Sequence, residues 1–216
     1  MCARTTLRRK DLRQVADEIE AMVSDDDAPL YRPRYNVAPS DTTWMVEARG
    51  DDRVLVPAVW GYVARDRPLI NVRSEQVATG AGFREAFAER RCLVVTDGFY
   101  EWSASKRPTW FHRRDDGLVL LAGLFQTVQG RPRFAVLTTR ANGLVAAVHD
   151  RMPVIVGRDA IDRWLSGELA EATRLLGPAD DDYLVATAVS TRVNSVRHDD
   201  ASCLEPPGPE RQATLF

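Results

Sequence analysis

The strongest constraint on the fold of this chain is a succession of short apolar runs, rich in β-branched and aromatic residues, each cut off by Gly, Asp or Pro. They read "TTWMVEA", "RVLVPAVWG", "RCLVVTDGFYEW", "LVLLAGLFQTV" and "RFAVLTTR", with a last one, "DYLVATAVS", near the end. Runs of this length with such boundaries predict β-strands. The helical patterns among them are short. In "DLRQVADEIEAM", Asp11 to Met22, the apolar Leu12, Val15, Ile19 and Met22 recur at helical spacing with charges elsewhere, which predicts an amphipathic surface helix. "TGAGFREAFAERR" predicts a helix started by Thr79, "RANGLVAAVHD" a short one started near Asn142, and "RDAIDRWLSG" and "ELAEATRLLG" two more. Strands outnumber helices and do not alternate with them in the rhythm that a parallel sheet needs. The expected fold class is therefore α+β, a single domain with a mainly antiparallel, barrel-like β core and flanking helices.

No Gly/Ser or Pro-rich linker divides the 216 residues, so one domain is expected over 1–206, followed by a polar, Pro-rich flexible tail, 207–216. Hydrophobic residues at 44% and charged residues at 28% argue against a disordered or fibrous chain. There is no apolar run of about 18 residues, and the Arg-rich N-terminus is not followed by an apolar stretch. Neither a membrane partner nor a secretory signal is expected, and the location implied is cytoplasmic. Cys2, Cys92 and Cys203 are odd in number, far apart and outside any C-x-x-C pattern, which argues against a disulfide framework and a structural zinc. No metal and no cofactor are expected. With a net charge of −2, any DNA-binding face must be a local concentration of positive residues.

One of those cysteines directly follows the initiator Met, in "MCAR". Removal of Met1 would turn Cys2 into a 1,2-aminothiol, with reference pKa values of about 8 for the amine and about 8.5 for the thiol. An amine condenses with an aldehyde to a Schiff base, and the neighbouring thiol closes on that imine to give a five-membered thiazolidine. The chemistry points to an aldehyde target. "VVTDGFYEW" leaves a strand through Asp97-Gly98 and presents Glu101 among Phe99, Tyr100 and Trp102. A carboxylate in such surroundings loses hydration and its pKa rises toward the range where it both gives and takes protons; a surface Glu beside an aromatic cluster is the other reading. "AVHDRMPVIV" sets His149 at a helix-to-strand junction, as a general acid or a structural histidine, followed by Arg151 and a Pro-led strand. "PLINVRSE" adds Asn71, able to orient an amine through its carbonyl oxygen, and Arg73, able to hold a phosphate.

In this order, Met1-Cys2-Ala3-Arg4, "YNVAPS" (35–40), "WG" (60–61), "NVRSE" (71–75), "RCLVVTDGFYEW" (91–102), "AGLF" (122–125), "TTRAN" (138–142), "HDRMPVIV" (149–156) and "VSTRVNSVRHDDASCLEP" (189–206) resemble the SOS response-associated peptidase family. The resemblance covers nearly the whole chain except the tail. It implies a monomeric sensor of abasic sites in single-stranded DNA, working at the nucleoid, that crosslinks itself to the ring-opened sugar. Cys2 would be the nucleophile, exposed by autoproteolytic loss of Met1, Asn71 would position its amine, Glu101 would shuttle protons during crosslinking and reversal, and His149 would assist sugar opening. It further implies Arg4, Arg73 and Arg151 at phosphates, Thr138 and Thr139 as hydroxyl donors, and Asn36 and Pro39 in an adjoining DNA-contacting loop. Trp60 would be a stacking surface, although it also ends an apolar strand and fits a core position equally. The chain departs from the family pattern at Ala3, where Gly is usual, and at Val72, where Ala is usual; Ala3 restricts the backbone beside the nucleophile. The tail ends in Gln212-Ala213-Thr214-Leu215-Phe216, whose Gln212, Leu215 and Phe216 resemble the short peptide with which bacterial proteins dock on the replication sliding clamp. Two other readings of the same residues remain open: an N-terminal-nucleophile amidohydrolase with Cys2 attacking an amide, and a non-covalent single-stranded DNA-binding module with Cys2 inert.

Overall fold

The computed structural model describes residues 2–65, 67–80 and 82–208, the side chains of Ala78 and Thr79 excepted. Its centre is a closed ring of five strands, numbered here in chain order. Val119–Val128 (β11) pairs with Arg91–Thr96 (β8), then come Thr42–Arg49 (β3), Asp52–Trp60 (β4) and Arg131–Arg140 (β12), and β12 pairs back onto β11. All these pairings are antiparallel except β12 with β4. The hairpin between β11 and β12 turns at Gln129 and Gly130, with φ of 50° and 75°; both lie in the left-handed backbone region, and the resulting two-residue turn matches the right-handed twist of the strands. Arg151–Pro153 (β13) and Asn71–Arg73 (β7) add to β12, the latter in parallel.

Both faces of the ring are buried, which is why β8 reads as an unbroken apolar run rather than an alternating one. Leu93, Val95, Ala135 and Leu137 pack on one side with Phe87 and Trp164 from the helices. On the other, Cys92, Val94, Phe134 and Val136 pack with Cys2, Phe99 and Phe111. The last two belong to a second sheet, wholly antiparallel: Val185–Ala188 (β14), Pro108–His112 (β10), Gly98–Trp102 (β9), Thr5–Leu7 (β1) and Arg34–Val37 (β2). A small hairpin of Tyr62–Ala64 (β5) and Arg67–Leu69 (β6) completes the strands among the described residues. The α+β class with a mainly antiparallel, barrel-like core is the one expected.

The position of β1 is what matters for function. It lies between β9 and β2, with Thr5 opposite Phe99 and Val37, so the chain's beginning is an interior strand. Its polar residues are satisfied: the Thr6 hydroxyl donates to Asp97 Oδ1 at 2.5 Å and accepts from Trp110 Nε1 at 3.1 Å. Trp110 comes so close that a Cβ on Gly98 would stand 2.2 Å from its Nε1, so this step of β9 has room for glycine only. Three residues with two threonines carry too little apolar pattern to announce a strand, and β1, β2, β5, β6, β7 and β10 are not among the strands expected from the sequence.

The helices are shorter than their patterns. Leu12–Glu18 (α1) is capped by the Asp11 carboxylate, which accepts from Arg13 N at 2.9 Å, and it buries Leu12 and Val15. It stops before Met22 because Glu20 turns left-handed at φ 53° and Met22 leaves to bridge Val54 of β4. The segment expected to begin a helix at Thr79 instead divides: Ser74–Thr79 (α2) ends there, and Arg84–Glu89 (α3) starts without a side-chain cap. Gly143–Ala146 (α4) is capped by Asn142 as expected, with Val145 N donating to its Oδ1 at 2.9 Å. Ile161–Leu165 (α5) and Leu169–Arg174 (α6) follow. The tail residues Gln212, Leu215 and Phe216 lie outside the described residues. Among those described, no helix is long and apolar enough to cross a membrane.

Candidate active site

Antiparallel pairing decides where Cys2 sits. Tyr100 N donates to Arg4 O at 3.0 Å, and as β1 runs back toward residue 2, β9 runs forward to Glu101, so the two meet at the edge between the sheets. Cys2 is fully buried, in the cluster with Val136 of the ring and with Val145 and Met152 on either side of His149. Asn71, paired with Val136 by register, reaches across and donates from Nδ2 to the Cys2 carbonyl at 2.7 Å. Its Oδ1 is buried and has no hydrogen-bond partner among the described residues. An amide with one end tied to the Cys2 backbone and an open acceptor at the other is built to hold a donor next to Cys2.

Burial pushes the Cys2 thiol up, and the Glu101 carboxylate pushes it further. Burial likewise raises Glu101 to about 7, with a smaller upward contribution from Asp150. A carboxyl that titrates near neutrality both gives and takes protons at the operating pH. Asp150 belongs to the His149 segment, so that segment stands beside Glu101. His149 Nδ1 accepts from Arg151 N at 2.9 Å, which places the proton of the neutral ring on Nε2; the 3.0 Å approach of Asp150 to the same Nδ1 is an attraction only for the protonated ring. The four residues expected to carry chemistry thus converge on one locus: Cys2, Asn71, Glu101 and His149.

The expected DNA-contacting residues divide. Arg73 is exposed at the end of β7, and no carboxylate lies within ion-pair distance of it among the described residues. Arg151 is held by a bidentate pair with Glu75, 2.6 and 2.9 Å, and donates to Thr138 O at 2.6 Å. That bridge draws the Glu75 carboxyl down to about 2 and keeps the guanidinium beside Arg73. Arg4 is half-buried, donating to Asn36 Oδ1 and Val193 O and lying 5.8 Å from the Trp102 ring centre. Pro39 is half-buried in the turn after β2.

Four of these residues are buried in the structure. Trp60 is 1% exposed, its Nε1 is spent on Ile70 O at 2.8 Å, and its ring stacks on Phe134, so it is a core residue and not a stacking surface. Asn36 is buried and its amide donors go to Val193 O, Ser195 O and His198 O; it latches the C-terminal segment and fixes Arg4 rather than meeting DNA. Thr138 and Thr139 are buried within β12, with the Thr138 Oγ1 3.4 Å from Arg151 Nη2. Strand alternation and ring closure, invisible in a short motif, decided each case. The sequence reading also missed Glu75, whose place four residues after Asn71 on a helix start gave a signal, and Trp102, the half-buried aromatic next to Glu101 that bonds Asn194 through Nε1 at 2.6 Å. Among the described residues, no group of three His, Cys, Asp or Glu side chains is placed to hold a metal.

A family model described as "SOS response associated peptidase (SRAP)" matches residues 1–196. The chain is similar to "Abasic site processing protein YoaM" of Bacillus subtilis, 33% identical over 194 residues that cover 81% of this chain and 86% of that protein. It is also similar to "Abasic site processing protein HMCES" of Gallus gallus, 30% identical with 82% and 67% covered. A crystal structure of a protein from Bacteroides thetaiotaomicron superposes with a TM-score of 0.79 at 19% identity, covering 95% of this chain and 99% of that one, which shows a shared fold.

Proposed function

This chain belongs to the SOS response-associated peptidase family, and from that premise we propose that it processes abasic sites in single-stranded DNA, crosslinking to them as a thiazolidine through Cys2 once Met1 is removed. The observation that carries this reading is the Asn71 amide, bonded to the Cys2 carbonyl with its buried Oδ1 open, beside a carboxyl raised to about 7. An α-amine at Cys2 supplies the donor that this acceptor awaits.

The steps use groups already in place. His149 Nε2–H assists opening of the sugar to its aldehyde. The Cys2 amine adds to the aldehyde carbon, and the carbonyl oxygen becomes a hydroxyl. Glu101, as the acid, protonates that hydroxyl; water leaves and an iminium remains. The Cys2 sulfur then adds to the same carbon, its proton passes to the Glu101 carboxylate, and the new C–S bond closes the ring. Aldehyde and aminothiol have become thiazolidine and water, with Glu101 returned to its acid form. An iminium left open would invite β-elimination and strand breakage, a lyase outcome; ring closure removes it. The steps run backward for self-reversal. Loss of Met1 is the peptidase step, carried out by this same site or by an aminopeptidase, and the protein acts as a monomer in the cytoplasm at the nucleoid.

Incubation with single-stranded DNA carrying an abasic site should give a slow band on a denaturing gel, and intact mass should show the adduct on a chain lacking Met1. Hydrolysis of small amides without such a band would favour the amidohydrolase, and reversible binding alone the non-covalent module. Glu101→Gln should slow crosslinking by roughly 10²-fold, the scale of one general acid–base contribution, and remove the ionisation near pH 7 from the rate profile. An unchanged profile would take Glu101 out of the mechanism.

The Gln212, Leu215 and Phe216 peptide is proposed to tether the protein to the sliding clamp. Deleting residues 212–216 should abolish capture by immobilised clamp and leave crosslinking in free solution unaltered; equal capture with and without the peptide would end this proposal.

A further inference from the structure

We infer that Arg140 forms a second phosphate subsite, placing one strand of the substrate along the line Arg73, Arg151, Arg140. The inference rests on the abasic-site reading above and deepens it. Strand alternation puts Phe134 and Val136 of β12 on the face that packs with Cys2, and the same alternation continues through Thr138 to Arg140 at the strand's end. The partners of these positions share that face: Asn71 opposite Val136, Arg73 opposite Thr138, Arg151 opposite Arg140. Arg151 confirms the direction by donating to Thr138 O and approaching its Oγ1 at 3.4 Å. Three arginines therefore follow Asn71 outward from Cys2 on one surface.

Their charge states differ in a way that assigns their work. Arg151 is already neutralised by Glu75, and the pair holds it in position. Arg73 and Arg140 are exposed, and neither has a carboxylate within ion-pair distance among the described residues. Asp180 and Asp181 line the depression beside Arg140, Asp181 accepting from Gly143 N at 2.7 Å, and neither forms an ion pair with Arg140. Two exposed guanidinium groups and one held in an ion pair are thereby gathered on one edge, with β12 and its Arg140 between β7 and β13. From sheet spacing the Arg73 and Arg140 Cα atoms are about 8 Å apart, one strand over and two residues along, and two flexible arginines at that separation reach successive phosphodiesters of a single strand. The sequence hid Arg140 because it reads as an ordinary strand-terminal charge after the two threonines.

The test measures binding and crosslinking with abasic single-stranded oligonucleotides in which one phosphate at a time is replaced by an uncharged methylphosphonate. Arg140→Ala should raise the half-saturating DNA concentration at least about tenfold, the low end of the scale for one lost charge-assisted hydrogen bond. It should also lower the salt slope of binding by about 0.7, the value for one phosphate contact on a single strand. One methylphosphonate position that weakens the wild type should no longer weaken Arg140→Ala. Arg174→Ala, an exposed arginine on α6, serves as the control for general charge loss. An Arg140→Ala effect no larger than that of Arg174→Ala, or one that keeps the full set of sensitive phosphates, overturns the subsite. If the wild type binds with the expected phosphate pattern but forms no covalent band, the crosslinking reading fails while the subsite stands.

Discussion

Cys2→Ala should abolish the heat-stable DNA adduct while leaving a borohydride-trappable one. Alanine at position 2 still permits loss of Met1, so an α-amine remains to form the imine. What disappears is the sulfur that closes on it. In the wild type the thiol is raised by burial and by Glu101, so it stays protonated at rest and reacts only as its proton passes to the carboxylate. Without it, the iminium persists and β-elimination competes. The gel should therefore lose the stable band and gain cleaved strand over time, and borohydride should recover a covalent species by reducing the imine. Were Cys2→Ala to give the wild-type band without reductant, the thiazolidine would be wrong. Were borohydride to trap nothing, the amine would be wrong as well.

Arg91→Met should lower the stability by about 3–5 kcal/mol, among the largest single-residue losses. Arg91 begins β8 and is 5% exposed, with no carboxylate partner among the described residues. Its Nε donates to Trp164 O, its Nη1 to Phe87 O and Ala88 O at 2.7 and 3.0 Å, and its Nη2 to Gly167 O at 2.7 Å. These carbonyls end α3 and α5, where helices leave acceptors unpaired and the dipole favours a cation. One guanidinium thus closes two helix ends against the ring. Methionine keeps the volume and strands the acceptors away from water. Thermal unfolding should shift down by roughly 10 °C on the scale for a chain of this size, with Arg91→Lys recovering only part because an ammonium cannot fork toward both helices. A shift of a degree or two for Arg91→Met would show the carbonyls finding other partners.

Arg91 also illustrates what a linear reading misses. Beside "CLVV" it looks like a solvent charge at a strand edge, because nothing local reveals two helix ends meeting there. The burial of Asn36, Thr138 and Thr139, and the placing of Trp60 in the core, one of the two positions its sequence left open, have a related cause. A motif names residues near a site but not which face of a strand turns inward once the ring closes. β1 escaped notice because its pairing partners lie about thirty and ninety residues away, and three residues cannot signal a strand whose apolar contacts all come from elsewhere.

By itself the sequence determined the strand-dominated α+β class, through apolar runs too short and too closely punctuated for helices. It also determined the residue types of the candidate site, because a cysteine behind the first methionine, a glutamate among aromatics and an Asn-Val-Arg run can be read without the fold. Only the tertiary structure decided that these meet. Cys2 faces Glu101 because β1 pairs antiparallel to β9, and Asn71 reaches its carbonyl because β7 joins the ring in register with Val136. The pKa of Glu101 followed from that closure, since a carboxyl loses its water only when distant segments pack over it.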